Sequence, residues 1–223
     1  MLINSNNRNG VILELKCQWQ SLLKSLPQNT QGDRRRGSRV FLELVNAYSS
    51  DTRFYHGLSH IKYMLEAIAP WESQANNYPA IQLSAWFHDA IYNPKAKDNE
   101  EKSAEYAAKV LNELKISPCT IDAVNQIILN TKHHHAEPED IDSQILLDAD
   151  LAILGEDESS YQFYAKGIRR EYAWLSAEDY RLGRINVLKK LLQRPRIYFT
   201  EKMFEQYEAK ARQNILTEIK SLY

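Results

Sequence analysis

The side chains able to do chemistry in this chain are mostly imidazoles and carboxylates, and their spacing is not random. His56 and His60 are four residues apart, His88 abuts Asp89, and His133, His134 and His135 run together. A spacing of four places two side chains on one helical face, so His56 and His60 can look into the same cavity. His88 and Asp89 fall in the most apolar stretch of the chain, with Ile81, Leu83, Ala85, Trp86, Phe87 and Ile91. Burying an imidazole beside a carboxylate there costs several kcal/mol unless a partner compensates, and a divalent metal is the simplest compensation. A second interruption is Asp148 and Asp150 within the apolar run Leu146 to Leu154. The two are roughly 200° apart on a helix and so are not expected to face the core together. One is expected to be a ligand and the other a surface or capping group.

Other chemistries are excluded by what is missing. The chain has no Gly-rich phosphate loop ending in GK[ST], no GxGxxG, no GxSxG and no HExxH. Cys17 and Cys119 stand alone, so neither a disulfide framework nor a cysteine zinc site can be built. With 28 Lys+Arg against 29 Asp+Glu, the net charge of −1 provides no general field for a nucleic-acid polymer or an anionic membrane. Arg34, Arg35 and Arg36 are read as a solvated basic loop, with phosphate binding as the lesser alternative. The start of the chain lacks the apolar run of a signal peptide, and no stretch approaches ~18 uncharged apolar residues, so the cytoplasm is the expected location.

The elements that must position these groups read as helices. Glycine, at 7 of 223 residues, is less than half as frequent as in average proteins, at about 7%, and sheet-rich folds need it at their tight turns. Apolar residues recur at helical spacing over 11–26, from Val40 to Tyr48, from Leu58 to Ile68, over 79–92 and after Ser117-Pro118. The pattern continues through Leu146 to Leu154, ended by Gly155 as a C′ residue, then from a capping box at Ser176-Ala-Glu-Asp179 towards Pro195, and from Glu201 onwards. The expectation is one all-α domain over 11–223, of eight or nine helices, with 1–10 as a flexible N-terminus.

The ordered set His60, His88-Asp89 and Asp150 resembles the H…HD…D pattern of the HD-domain superfamily. The surrounding pieces are similar to a bacterial branch of that superfamily known as predicted metal-dependent phosphohydrolases. They are Arg53-Phe-Tyr-His56-Gly-Leu-Ser-His60-Ile, Trp86-Phe-His88-Asp89-Ala-Ile-Tyr92, Asn99-Glu100-Glu-Lys-Ser103-Ala104, Thr131-Lys-His-His134, Asp148-Ala-Asp150-Leu and Ile168-Arg169-Arg-Glu171-Tyr172. Glu208-Ala-Lys-Ala-Arg212-Gln-Asn214 extends the similarity over nearly the whole chain beyond residue 10.

The resemblance implies that His60, His88, Asp89 and Asp150 ligate a divalent ion, which Mn, Fe, Co, Ni, Zn or Mg could supply. The Tyr-His-x-x-x-His-Ile stretch also looks like the opening of the cyclic nucleotide phosphodiesterase site, which makes His56 the candidate general acid; Gly57 stands where those enzymes have Asn. Asp89 would also accept a hydrogen bond from the attacking water, and Arg53, Lys132 and Arg169 are candidate phosphate clamps. Glu100 and His134 are further candidate site residues, His134 at substrate or at a second ion. Arg169, Glu171 and Tyr172 read more simply as a salt-bridge and packing feature. The expected activity is hydrolysis of a small phosphate ester or anhydride, nucleotides being the first class to try. The alternatives are a metal-containing regulatory module without turnover and a di-iron centre for oxygen chemistry.

Overall fold

The computed structural model describes residues 5–26 and 31–223, which form ten α-helices and two single 3-10 turns with no strand among them. The helices are α1 (Ser5–Ser25), α2 (Gln31–Ala47), α3 (Leu58–Ile68), α4 (Tyr78–Phe87) and α5 (Asn99–Glu113). They continue as α6 (Pro118–Thr131), α7 (Ile141–Leu151), α8 (Glu158–Glu171), α9 (Ala177–Gln193) and α10 (Glu201–Leu222). The all-α class is therefore as expected. The expected flexible N-terminus is not: α1 already runs from Ser5, while residues 1–4 and the helix stop at Pro27 lie outside the described residues.

Local chemistry sets most of the starts. Ser117, Asp140, Asp157 and Ser176 each accept a backbone N–H from the first turn of α6, α7, α8 and α9, satisfying donors that have no partner within the helix. Ser176 Oγ takes the Asp179 N–H at 3.0 Å and donates to Asp179 Oδ2 at 2.7 Å. The central element is α4, in which Ala80, Ile81, Leu83, Ala85, Trp86 and Phe87 are all buried. Trp19 of α1 meets Trp86 edge-on at 5.3 Å, and Phe41 of α2 meets it at 6.0 Å. The hydrophobic core gathers around this helix from α1, α2, α3, α6 and α7.

Four local expectations are overturned. Arg34, Arg35 and Arg36 are in the first turns of α2, exposed, and not in a loop. His88 caps the C-terminus of α4, and Asp89 lies in the turn beyond, so the pair ends the apolar helix and does not interrupt it. His56 precedes the Gly57 N-cap of α3 and so does not share a helical face with His60. Gly155 is inside a 3-10 turn, and none of the described glycines has a positive φ. Its role is close approach: a Cβ there would be 2.5 Å from the Tyr207 Cβ and 2.9 Å from its Cα. The glycine lets α10 lie directly on that turn, where Asn214 Nδ2 donates to the carbonyls of Leu154 and Glu156.

Of the two carboxylates on α7, one was expected to be a ligand and the other a surface or capping group; Asp148 is no surface group, being 1% exposed. It faces away from Asp150 and accepts the N–H groups of Phe199 and Thr200 and the Thr200 hydroxyl, at 2.7, 2.8 and 2.6 Å. A helix walled in on both sides can bury both carboxylates. Glu208 works in the same way, accepting from Ile197 and Tyr198 and pairing with Arg212, so the Glu208 to Asn214 motif fastens the chain ahead of α10.

Candidate metal centre

The ends of three elements converge. His60 projects from the first turn of α3, His88 from the C-cap of α4 and Asp150 from the last turn of α7, and ligand atoms of the three all lie within 4.8 Å of one another. The group could hold a metal ion. His60 Nε2 is 3.1 Å from Asp150 Oδ1, and His88 Nε2 is 3.9 Å from the same oxygen. Both imidazole Nε2 atoms are buried without a hydrogen-bond partner. His88 Nδ1 lies 3.1 Å from the Ala85 carbonyl, which keeps a proton on Nδ1 and makes Nε2 the atom that would ligate once the ring is neutral. Orphaned buried nitrogens are rare because each costs about 1–3 kcal/mol. Two of them facing one carboxylate fit a divalent ion better than they fit a closed hydrogen-bond network.

Asp89 falls outside this three-residue group but borders it, with Oδ2 3.3 Å from His88 Nε2 and 4.0 Å from His56 Nε2. His134 Nε2 is 2.9 Å from Asp150 Oδ2, so it braces a ligand from the outer side. His134 does so from a left-handed backbone, φ 45°, unusual for a non-glycine residue. The neighbouring His133 and His135 are exposed.

Around His56 the structure shows which group Glu171, expected in a salt-bridge and packing feature, holds. Glu171, its side chain fully buried, accepts the backbone N–H groups of Phe54, Tyr55 and His56 on Oε1, at 2.7, 2.7 and 3.0 Å. Its Oε2 is 2.6 Å from His56 Nδ1 and accepts the Tyr92 hydroxyl at 2.9 Å. Gly167, one turn earlier on α8, allows this docking, since a Cβ there would be 3.0 Å from the Tyr55 Cβ. The signal was present as Ile-Arg-x-Glu-Tyr, but nothing in that motif says which loop the carboxylate holds.

Burial and charge pull against each other throughout the cluster. Burial lowers His60 below the usual histidine range. For His88 burial acts the same way, but the Asp89 charge outweighs it and raises the pKa to about 9. Burial would raise Asp89, yet the charges of His88 and His56 hold it well below the usual carboxylate range. Asp150 is likewise held down against burial, chiefly by His134. His56 is raised, the Glu171 hydrogen bond and the Asp89 charge overcoming desolvation.

The expected clamps are otherwise engaged. Arg53 donates to the carbonyls of His56, Asp89 and Ala90, at 3.2, 2.7 and 3.2 Å, and pins the loop before α3 to the turn after α4. Lys132 pairs with Glu101. Arg169 donates to the Tyr172 and Leu175 carbonyls. Glu100 is in the first turn of α5 with no hydrogen bond or ion pair to the cluster, whereas its motif neighbours are structural. Ser103 exchanges hydrogen bonds with the Ile91 backbone, and Asn99 does so with Asn93, which holds the segment following His88-Asp89.

No family model matches the chain, and neither a curated protein nor a solved structure matches it. No helix among the described residues is long and apolar enough to cross a membrane.

Proposed function

We propose that this chain is a metal-dependent hydrolase of small phosphate esters or anhydrides, organised as in the HD superfamily that its motifs resemble. The observation that carries the reading is the pair of orphaned buried imidazole nitrogens, His60 Nε2 and His88 Nε2, facing Asp150, with Asp89 and His56 alongside. His60, His88 and Asp150 would hold the ion, with Asp89 as the fourth ligand. A divalent ion there lowers the pKa of a coordinated water from 15.7 to around 7 and offsets phosphate charge.

The protein groups have separate tasks. Asp89 would accept a hydrogen bond from the attacking water. His56 is held at Nδ1 by Glu171, which leaves Nε2 turned towards Asp89 and available to give its proton to the leaving oxygen. Glu171 and Arg53 hold the loop that carries His56. Because Arg53, Lys132 and Arg169 are engaged by protein groups, phosphate charge falls to the ion and to His56. That favours substrates the size of a mononucleotide over polymers. The same shortage of clamps is what favours the second reading, a metal-containing regulatory module without turnover.

The test is elemental analysis of untagged protein, followed by a panel of phosphomonoesters, phosphodiesters and nucleotides with Mn, Co, Ni, Mg and Zn each added back. Stoichiometric metal with turnover of a small phosphoester is expected. Stoichiometric metal without turnover across the panel favours the regulatory reading, and failure to retain any metal overturns both.

A further inference from the structure

A second feature lies away from the metal centre and uses none of its residues. Between α1 and α2 runs a groove of about 600 Å³, a size that suits one small organic molecule. Its floor is apolar, made by Ile12, Trp19, Leu23, Phe41 and Leu42. Trp19 has its only polar atom occupied, Nε1 donating to the Gly37 carbonyl at 2.9 Å, so it offers the groove an apolar ring. Leu42 is 64% exposed at the edge.

Among the described residues, the charged ones that line the groove, Lys16, Lys24 and Arg34, are all cations, on a chain whose net charge is −1. Among the described residues no carboxylate pairs with any of them. Lys24 is in the last turn of α1 and Arg34 in the first turn of α2. From Lys24 back to Ile12 the floor follows α1 for about 18 Å at 1.5 Å per residue. A charged end and a long apolar floor match an amphipathic anion.

We propose that the groove between α1 and α2 binds a long-chain fatty-acid anion, with the carboxylate between Lys24 and Arg34 and the acyl chain along Leu23, Trp19, Phe41 and Leu42. The basic run at Arg34 to Arg36, which the phosphohydrolase reading leaves unused, then has a ligand for its first member. The chemistry is ionic pairing at an exposed rim, added to burial of the apolar chain.

The test is calorimetric titration of the full-length protein with laurate below its micelle concentration, with butyrate and dodecylamine as comparison ligands. Saturable laurate binding is expected, with butyrate too short and dodecylamine of the wrong charge to bind comparably. The exposed double variant Lys24→Glu/Arg34→Glu should weaken laurate by roughly tenfold or more, and Leu42→Glu should weaken it too, while metal content stays unchanged in both. Helicity by circular dichroism checks that each variant is folded, and the single Lys24→Gln, at an exposed position, gives a milder second measurement of the same loss. The proposal is overturned if laurate does not bind, if dodecylamine binds as well, or if charge reversal leaves laurate affinity unchanged. It is equally overturned by a concentration-dependent dimer in sedimentation that Leu42→Glu abolishes, since the groove would then be covered by a second copy of the chain.

Discussion

Glu171 decides where His56 points, because one carboxylate oxygen gathers three consecutive backbone N–H groups while the other holds the imidazole. If His56 gives its proton to the leaving oxygen as proposed, a group that orients it in this way typically matters by 10–100-fold. Glu171→Gln should therefore lower kcat on a small phosphoester by about that factor with metal content unchanged, and equal metal loss would mean that the loop supports the ligands themselves. His88 makes a second prediction possible. Its pKa, raised to about 9, means that it holds a proton at pH 7, and an imidazole must be neutral to ligate. Ion binding at neutral pH should release a proton, with affinity rising by up to about tenfold per pH unit towards pH 9. Calorimetry in buffers of different ionisation enthalpy measures the release, and affinity that stays flat between pH 7 and 9 would remove His88 from the ligand set.

At the scale of elements, what matters is how closely helices approach and how their ends are held. Gly155→Ala forces a Cβ against the Tyr207 backbone and should cost about 1–3 kcal/mol, seen as a Tm lower by several degrees. Gly183→Ala makes the converse test, for Gly183 lies exposed within α9 with nothing within 4 Å of an added Cβ. It should stabilise the chain by about 0.5–1 kcal/mol. The α7 to α10 tie has a pH signature. Burial pushes the Asp148 carboxyl up to about 6 against the pull of its hydrogen bonds from Thr200 and Phe199. A folded-state pKa above the unfolded one means that the folded chain binds more protons between the two. This group's contribution to stability is therefore complete below about pH 4 and lost as pH rises through about 6. Relative to Asp148→Asn, the native chain should lose stability over that window with a slope of at most about 1.4 kcal/mol per pH unit. Urea unfolding across the window measures it, and a constant difference between the two proteins would assign the pH dependence to other groups.

Considered as a whole molecule, the chain pairs a near-neutral surface with a cluster of buried charge. A net charge of −1, with the expected clamps engaged by protein groups, leaves little to grip a polyanion. Turnover of a mononucleotide-sized ester should accordingly depend only weakly on ionic strength. Preferential turnover of a long polynucleotide, with a log–log salt slope steeper than about −4, would show a phosphate-binding track and sink the small-substrate reading.

The helical class was legible because apolar residues at 3.6-residue spacing, scarce glycine and Ser or Asp caps all depend on local chemistry. The same locality made Ser117, Ser176 and the burial of Trp86 and Phe87 readable from the residues alone. His60, His88 and Asp150 were readable as types that do not belong unpartnered in apolar surroundings. Their meeting was legible only through the resemblance to the H…HD…D pattern and not from local chemistry, since the ends of α3, α4 and α7 are brought together by packing over 90 residues of chain. The roles of Glu171, Arg53 and Asp148 depended wholly on the tertiary structure. A carboxylate or guanidinium looks the same in sequence whether it faces solvent, a substrate or the backbone of a distant loop, and only the fold decides which donors and acceptors lie within 3 Å of it.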